Sequence, residues 1–373
     1  MNPFRITIFV IFAIFLGFFL PTEFFINQKI DSTEIKTPSR PIILINTSST
    51  TPILKQISTT TVEIKKTEQL IKKPVATNTP QIITAKTIEP PTDFEAINQF
   101  ARKSIVNILC TTNTNKLSPI SGTGVIIDQR GIILTNAHIG QYWLLRDYPS
   151  KNSIDCLIRT GNPAYPEYHA KLMYISINWV EKNKALLKET EPKGTGENDF
   201  AFLHITDKIN KTDLPDNLSF IPPNIRENIS EKETVVLISY PAEFLGGITI
   251  LKNLFISSAI TTIQKIFTFK ENTIDLVSIG GTIISQKGAS GGAVVDKNSS
   301  LIGLIATESD AANTGERDLR AITLAHINRS LKEETGGGLE DFLSQSPSDV
   351  AETFQGTTQQ TLTKLITDEL SRQ

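Results

Sequence analysis

The residues best suited to chemistry in this 373-residue chain are Gly288-Ala289-Ser290-Gly291-Gly292. A serine set among small residues can sit on a tight turn with its hydroxyl exposed. The glycines let backbone N–H groups approach a reacting carbonyl, which is what an oxyanion hole requires. Gly/Ser clusters also occur in plain turns, so the motif draws its weight from two segments upstream. A serine hydroxyl is a poor nucleophile until a base takes its proton. Of the 4 histidines, His138 ends the run Gly131-Ile132-Ile133-Leu134-Thr135-Asn136-Ala137-His138. That run and Gly122–Ile127 flank a turn at Asp128-Gln129-Arg130-Gly131, which reads as a β-hairpin with His138 at the end of its second strand. Asp199 stands at the mouth of the apolar strand Phe200–Ile205. A carboxylate buried there can hold the tautomer of a neighbouring imidazole and stabilise the imidazolium formed in proton transfer. Taken singly, Asp199 is an ordinary strand-edge turn residue and His138 a polar hairpin closure. The three together form a constellation.

Gly-Thr-Gly-Val-Ile-Ile (122–127), Leu-Thr-Asn-Ala-His (134–138), Asn-Asp-Phe-Ala-Phe-Leu (198–203), Gly-Ala-Ser-Gly-Gly-Ala-Val-Val (288–295) and Leu-Ile-Gly-Leu-Ile-Ala (301–306) resemble the chymotrypsin-like serine proteases, and within them the HtrA/Deg group. The order His, Asp, Ser is that of the chymotrypsin branch. The resemblance runs from about Phe94 to about Leu331. It implies an all-β fold of two six-stranded antiparallel β-barrels, with His138 and Asp199 on the first and Ser290 on the second. It implies Ser290 as nucleophile, His138 as general base and then acid, and Asp199 as the group that orients His138. The backbone N–H groups of Gly288 and Ser290 would form the oxyanion hole. No metal and no organic cofactor is implied, and the substrates would be proteins or peptides.

The pentapeptide also fits G-x-S-x-G, the elbow of α/β-hydrolases, whose order is Ser, Asp/Glu, His. Asp310 or Asp318 followed by His326 would mimic it. About 35 residues between Ser290 and His326 are too few for that fold's strand–helix units. Against the family pattern, Ala289 replaces the Asp that pairs with a new N-terminus in trypsin-like zymogens, so activation by that ion pair is not expected. The base of the primary specificity pocket maps to about Ile284, which favours small or aliphatic P1 residues over basic ones. Thr307 and Glu308 map to the opposite wall.

The N-terminus is organised differently. Arg5 precedes Ile6–Leu20, broken only by Thr7, Ala13 and Gly17, and apolar residues continue to Ile26 without a small-residue cleavage site. This reads as an uncleaved transmembrane anchor over 1–26, its N-terminus cytoplasmic and the rest exported to the periplasm or cell surface. Residues 27–92 are Thr/Ser-rich, with prolines at 38, 41, 52, 74, 80, 90 and 91. They read as a disordered linker, which as a coil of about 65 residues would reach roughly 45 Å. The protease domain is expected over 93–332, opening with a short helix capped by Asp93, with a charged insertion at 179–196 just before Asp199. A tail at 333–373 reads as one or two short helices, too short for the PDZ domain of many HtrA proteases. Homo-oligomers are common in that group, but no oligomer-forming segment is readable here.

Lys+Arg 37 against Asp+Glu 39 gives net charge −2, with no global basic field to suggest nucleic acid. The 2 cysteines, Cys110 and Cys156, lie in apolar strand-like runs without zinc spacing. They read as two buried thiols, with a single bridge as the alternative in an oxidising compartment. The expectation is a membrane-anchored extracytoplasmic serine endopeptidase acting on unfolded or envelope proteins. A catalytically silent, protease-like peptide-binding module is the rival.

Overall fold

The computed structural model describes residues 93–189, 194–270, 272–307, 309, 311 and 313–372. The expected anchor (1–26), linker (27–92) and Glu308 lie outside them. The chain divides into two units, Met1–Ile83 and Thr84–Gln373, and all that follows concerns the second.

Asp93 opens α1 (Phe94–Ala101) as expected, its carboxylate accepting the Ala96 N–H at 3.0 Å. Six strands then close a barrel: β1 (Ile105–Thr112), β2 (Ile120–Asp128), β3 (Ile132–Thr135), β4 (Ile154–Thr160), β5 (Tyr165–Ile175) and β6 (Ala201–Lys208). Their order around the barrel is β1-β2-β3-β6-β5-β4. The hairpin read at 128–131 joins β2 to β3, with Gly131 taking the positive φ of +86° that the turn needs. Two helices interrupt the strands: α2 (Ala137–Leu144) after β3, and α3 (Ile177–Asn183) after β5.

The second barrel departs from the expected six closed strands. It is a seven-stranded antiparallel sheet in the order β8-β7-β11-β12-β13-β10-β9. The strands are β7 (Thr234–Ser239), β8 (Ser257–Thr262), β9 (Lys265–Phe267), β10 (Leu276–Gly280), β11 (Ala293–Val295), β12 (Leu301–Thr307) and β13 (Leu319–Thr323), with α4 (Gly247–Lys252) between β7 and β8. The reason lies at Ile263–Gln264. There one stretch bends, so that its first half pairs with β7 and its second with β10. The two ends of the sheet are therefore contiguous along the chain, and Thr261 Oγ1 reaches the Ile279 carbonyl at 3.3 Å. Alternate residues point inward, including Val235, Leu237, Val277, Ile279, Val294, Leu319 and Ala321, and form a separate core.

The cysteines are bonded, which corrects the expectation of two thiols. Register pairs Cys110 of β1 directly with Cys156 of β4, and the two form a disulfide. Strand runs are visible in sequence, but which strands lie side by side depends on barrel closure, so the pairing was not.

The tail is more extensive than one or two short helices. It comprises α5 (Leu324–Thr335), α6 (Leu339–Ser344), α7 (Pro347–Gly356) and α8 (Thr358–Ser371), and α5 crosses the boundary drawn at 332. Gly336 ends α5 at φ +84°, and Ser346 with Pro347 starts α7. Phe342 and Phe354 pack around Tyr174 of β5, edge-on and tilted, at centroid distances of 6.1 and 6.0 Å, and Leu362 and Ile366 bury the inner face of α8. The described part of the insertion is helical up to Lys188, and α8 packs against that helical part. Lys188 Nζ meets Glu369 at 3.1 Å and the Arg372 carbonyl at 3.0 Å.

Candidate active site

His138 does not end a strand. It is the second residue of α2, and Asp199 explains why a helix starts there. The Asp199 carboxylate accepts the His138 backbone N–H through Oδ1 at 2.9 Å, while Oδ2 lies 2.8 Å from the ring Nδ1. One carboxylate thus caps the helix, where the dipole favours an anion, and holds the ring. Asn136, the N-cap residue, makes no cap bond with its side chain; it donates instead to the Asp199 carbonyl at 2.9 Å. Gln141 Nε2 donates to the His138 carbonyl at 2.9 Å. The Asp199 side chain is 6% exposed and that of His138 29%. Burial alone would push the imidazole pKa down, but the Asp199 charge and hydrogen bond outweigh it and hold the ring above its ordinary value.

Asp199 is held from behind. Asn198 takes a positive φ of +59° and its Oδ1 accepts the hydroxyl of Ser330 on α5 at 2.7 Å. The turn is closed by the Asp199 N–H to the Gly196 carbonyl at 3.2 Å.

Ser290 sits half-buried in the loop 281–292 between β10 and β11. Thr123 of β2 ties that loop to the first barrel. Its N–H donates to the Ser290 carbonyl at 2.8 Å, and its hydroxyl donates to the Gly288 carbonyl at 2.8 Å. That hydroxyl also accepts the Tyr240 N–H at 3.0 Å, and the Thr123 carbonyl accepts Thr135 Oγ1 at 2.7 Å. Thr135 lies three residues before His138, so a single buried threonine links the loop carrying Ser290 to the strand that leads into His138. In sequence Thr123 is only the centre of a Gly-x-Gly motif, and nothing in its type marks this role.

Within the loop, the amides of Ala289, Gly291 and Gly292 donate to the carbonyls of Gln286, Ile305 and Ala289 at 3.1, 2.8 and 2.9 Å. Those of Gly288 and Ser290 donate to no acceptor among the described residues. Gly288 holds φ +95°, and a Cβ there would lie 2.8 Å from the Tyr240 carbonyl oxygen. The Ser290 hydroxyl and His138 Nε2 share no hydrogen bond. Such contacts commonly tighten only when substrate binds.

Of the expected pocket residues, Ile284 is fully buried in the core of the second barrel, while its neighbour Ile283 is 61% exposed. Thr307 ends β12. His326, the histidine of the discarded hydrolase order, lies on α5 and is buried against Asp275, its Nδ1 3.1 Å from Oδ1. No group of three or more potential metal ligands occurs among the described residues.

The family model of the trypsin-like peptidase domain matches residues 122–304 of the 373. That match, just under half of the chain, supports a serine peptidase of the trypsin-like kind. The chain is similar to the crystal structure of Deg5, with a TM-score of 0.42 and 15% identity over 63% of this chain and 90% of that one. It is also similar to the crystal structure of the serine endoprotease from Yersinia pestis, with a TM-score of 0.41 and 21% identity over 67% of this chain and 70% of the other. No curated protein sequence matches the chain.

Proposed function

We propose that the chain is an HtrA/Deg-like serine endopeptidase in which Ser290, His138 and Asp199 form the catalytic triad. His138 Nε2 takes the hydroxyl proton as Ser290 Oγ bonds to the scissile carbonyl carbon. The oxygen, now negative, is met by the backbone N–H groups of Gly288 and Ser290. The C–N bond breaks as His138 returns the proton to the leaving amine, and water hydrolyses the acyl-enzyme by the same route. The observation that carries this reading is the double contact of Asp199 with His138 beside a loop whose Gly288 and Ser290 amides have no internal acceptor.

The test is fluorophosphonate labelling of the full-length chain. Labelling of the wild type that both Ser290→Ala and His138→Ala abolish is the expected result. A folded wild type that stays unlabelled, even with unfolded protein added, would replace the reading with a silent peptide-binding module. The separation of Ser290 from a His138 hydrogen bond is the observation that favours this second reading.

The proposal extends to place and substrate. The Cys110–Cys156 bridge suits an oxidising compartment, in keeping with export behind Arg5 and the apolar run that follows it. Among the described residues no helix is long and apolar enough to cross a membrane, and the anchor is assigned to residues 1–26 from sequence alone. Unfolded or envelope proteins are the substrate class. The specificity position maps to about Ile284, an apolar residue, so small or aliphatic P1 residues are expected in a peptide-library profile. Dominance of Arg or Lys at P1 would exclude this preference.

A further inference from the structure

In trypsin-like zymogens the residue before the nucleophile orders the oxyanion loop through its carboxylate. Here it is Ala289, which is buried and has no charge to offer. Besides its ties to Thr123 and Ile305, the loop 281–292 is held by an ion pair from outside. The Arg317 guanidinium, 9% exposed, grips both oxygens of Glu243, with Nη1 on Oε2 and Nη2 on Oε1 at 3.0 Å. The same group donates to the Ser285 carbonyl at 2.8 Å and, through Nε, to the Ala311 carbonyl at 3.0 Å. One fork therefore joins three connections: that after β7, that before β11 and that before β13.

The consequence falls on a single peptide unit. The Ala242 N–H donates to the Lys287 carbonyl at 2.8 Å, and the Lys287 N–H points at Glu243 Oε2 at 3.4 Å. The Lys287 carbonyl and the Gly288 N–H belong to one planar trans peptide and point in opposite directions. Holding the carbonyl on Ala242 therefore aims the Gly288 N–H away from the 240–246 connection, with no internal acceptor among the described residues. A flip of this peptide would exchange the donor for a carbonyl oxygen, which repels a developing oxyanion. Gly288, at φ +95°, has no side chain to resist such a flip.

We propose that Glu243 and Arg317 are positioning residues which lock the Lys287–Gly288 peptide in its donor orientation, replacing the carboxylate that Ala289 lacks. The proposal rests on the triad reading above. Arg317, followed by the other groups around it, holds the Glu243 carboxyl below its usual range, as a persistent pair requires. Bidentate Arg–carboxylate geometry fixes orientation as well as charge, which a lysine would not do.

The test uses the full-length chain with Glu243→Gln, Arg317→Met and the double variant. Two readouts are needed: amide hydrogen exchange, and steady-state kinetics on a peptide substrate. Exchange at the Ala242 amide is expected to speed up at least tenfold in each single variant, with strands of the first barrel unchanged as the folding reference. In kinetics, kcat is expected to fall by about 10- to 100-fold with KM nearly constant, because an oxyanion donor acts in the transition state. The double variant should be no worse than the more damaged single one, since the pair acts as a unit. Glu243→Gln nearly preserves shape, so it answers the question even if Arg317→Met fails to fold. Unchanged exchange at Ala242 in Glu243→Gln, or a kcat equal to wild type, would overturn the lock. An inert wild type would instead count against the triad reading, and exchange would still judge the lock.

Discussion

Asp199→Asn is expected to lower kcat by about ten-thousandfold at neutral pH while leaving the fold intact. The argument follows the two contacts of this carboxylate. An asparagine retains a carbonyl oxygen, which can go on accepting the His138 N–H and so keep the cap of α2. Its other end is an NH2 group facing Nδ1, where Oδ2 now sits at 2.8 Å. A donor there forces Nδ1 to accept and puts the ring proton on Nε2, the nitrogen that in the proposed triad takes the serine proton. The pH profile separates this from general damage. In the wild type Asp199 holds the imidazole above its ordinary pKa of 6.5, so the neutral base is lost, and activity with it, as pH falls through a value above 6.5. In the variant the charge is gone and burial alone acts, which depresses the pKa. The acid limb of kcat/KM should therefore move below 6.5, with cooperative unfolding by urea retained. A variant that keeps wild-type kcat, or one whose acid limb moves upward, would remove Asp199 from the mechanism.

The difference between what could be read from residues and what could not follows the distance over which each contact is set. The hairpin at 128–131 and the Asp93 cap are local chemistry, and each stands where its residues place it. His138, Asp199 and Ser290 could be singled out as candidates because there are only 4 histidines and the order His, Asp, Ser is constrained. Their supports were not. The start of α2 depends on a carboxylate 61 residues away, so the run 131–138 reads as uninterrupted strand from its own residues. Thr123, Ser330 and Arg317 act through hydrogen bonds to residues more than 70 positions distant, and a threonine, serine or arginine carries no mark of such a partner. The disulfide fails for the same reason, since Cys110 faces Cys156 only once β1 and β4 meet across the barrel seam. The tail shows the limit of periodicity. Val350, Phe354, Leu362 and Ile366 announce amphipathic helices, but that Phe354 packs on the Tyr174 ring depends on the surface of the first barrel.

Gly291→Ala should be the most damaging single change of one methyl group in the molecule's second barrel. Gly291 holds φ +82°, a region that costs an alanine about 1–2 kcal/mol. The added Cβ would stand 1.8 Å from the Thr123 carbonyl oxygen and 2.7 Å from Thr135 Oγ1. Neither neighbour can retreat cheaply. The Thr123 oxygen accepts Thr135 Oγ1 at 2.7 Å, and the same residue's N–H holds the Ser290 carbonyl at 2.8 Å. Moving β2 away would break both, along with the Gly291 N–H to Ile305 bond at 2.8 Å that seats the loop on β12. The expected loss of unfolding free energy is about 3–5 kcal/mol, combining backbone strain with displaced buried hydrogen bonds. Fluorophosphonate labelling should vanish even at temperatures where the protein remains folded, because the residue displaced is the neighbour of Ser290. Gly356→Ala is the control. That glycine ends α7 with no neighbour within 4 Å of an added methyl and no positive φ, so alanine should be neutral or stabilising by up to about 1 kcal/mol. If Gly291→Ala unfolds within about 1 kcal/mol of the wild type and still labels, then the two barrels do not meet through Thr123 as tightly as these distances require, and Ser290 owes its place to other contacts.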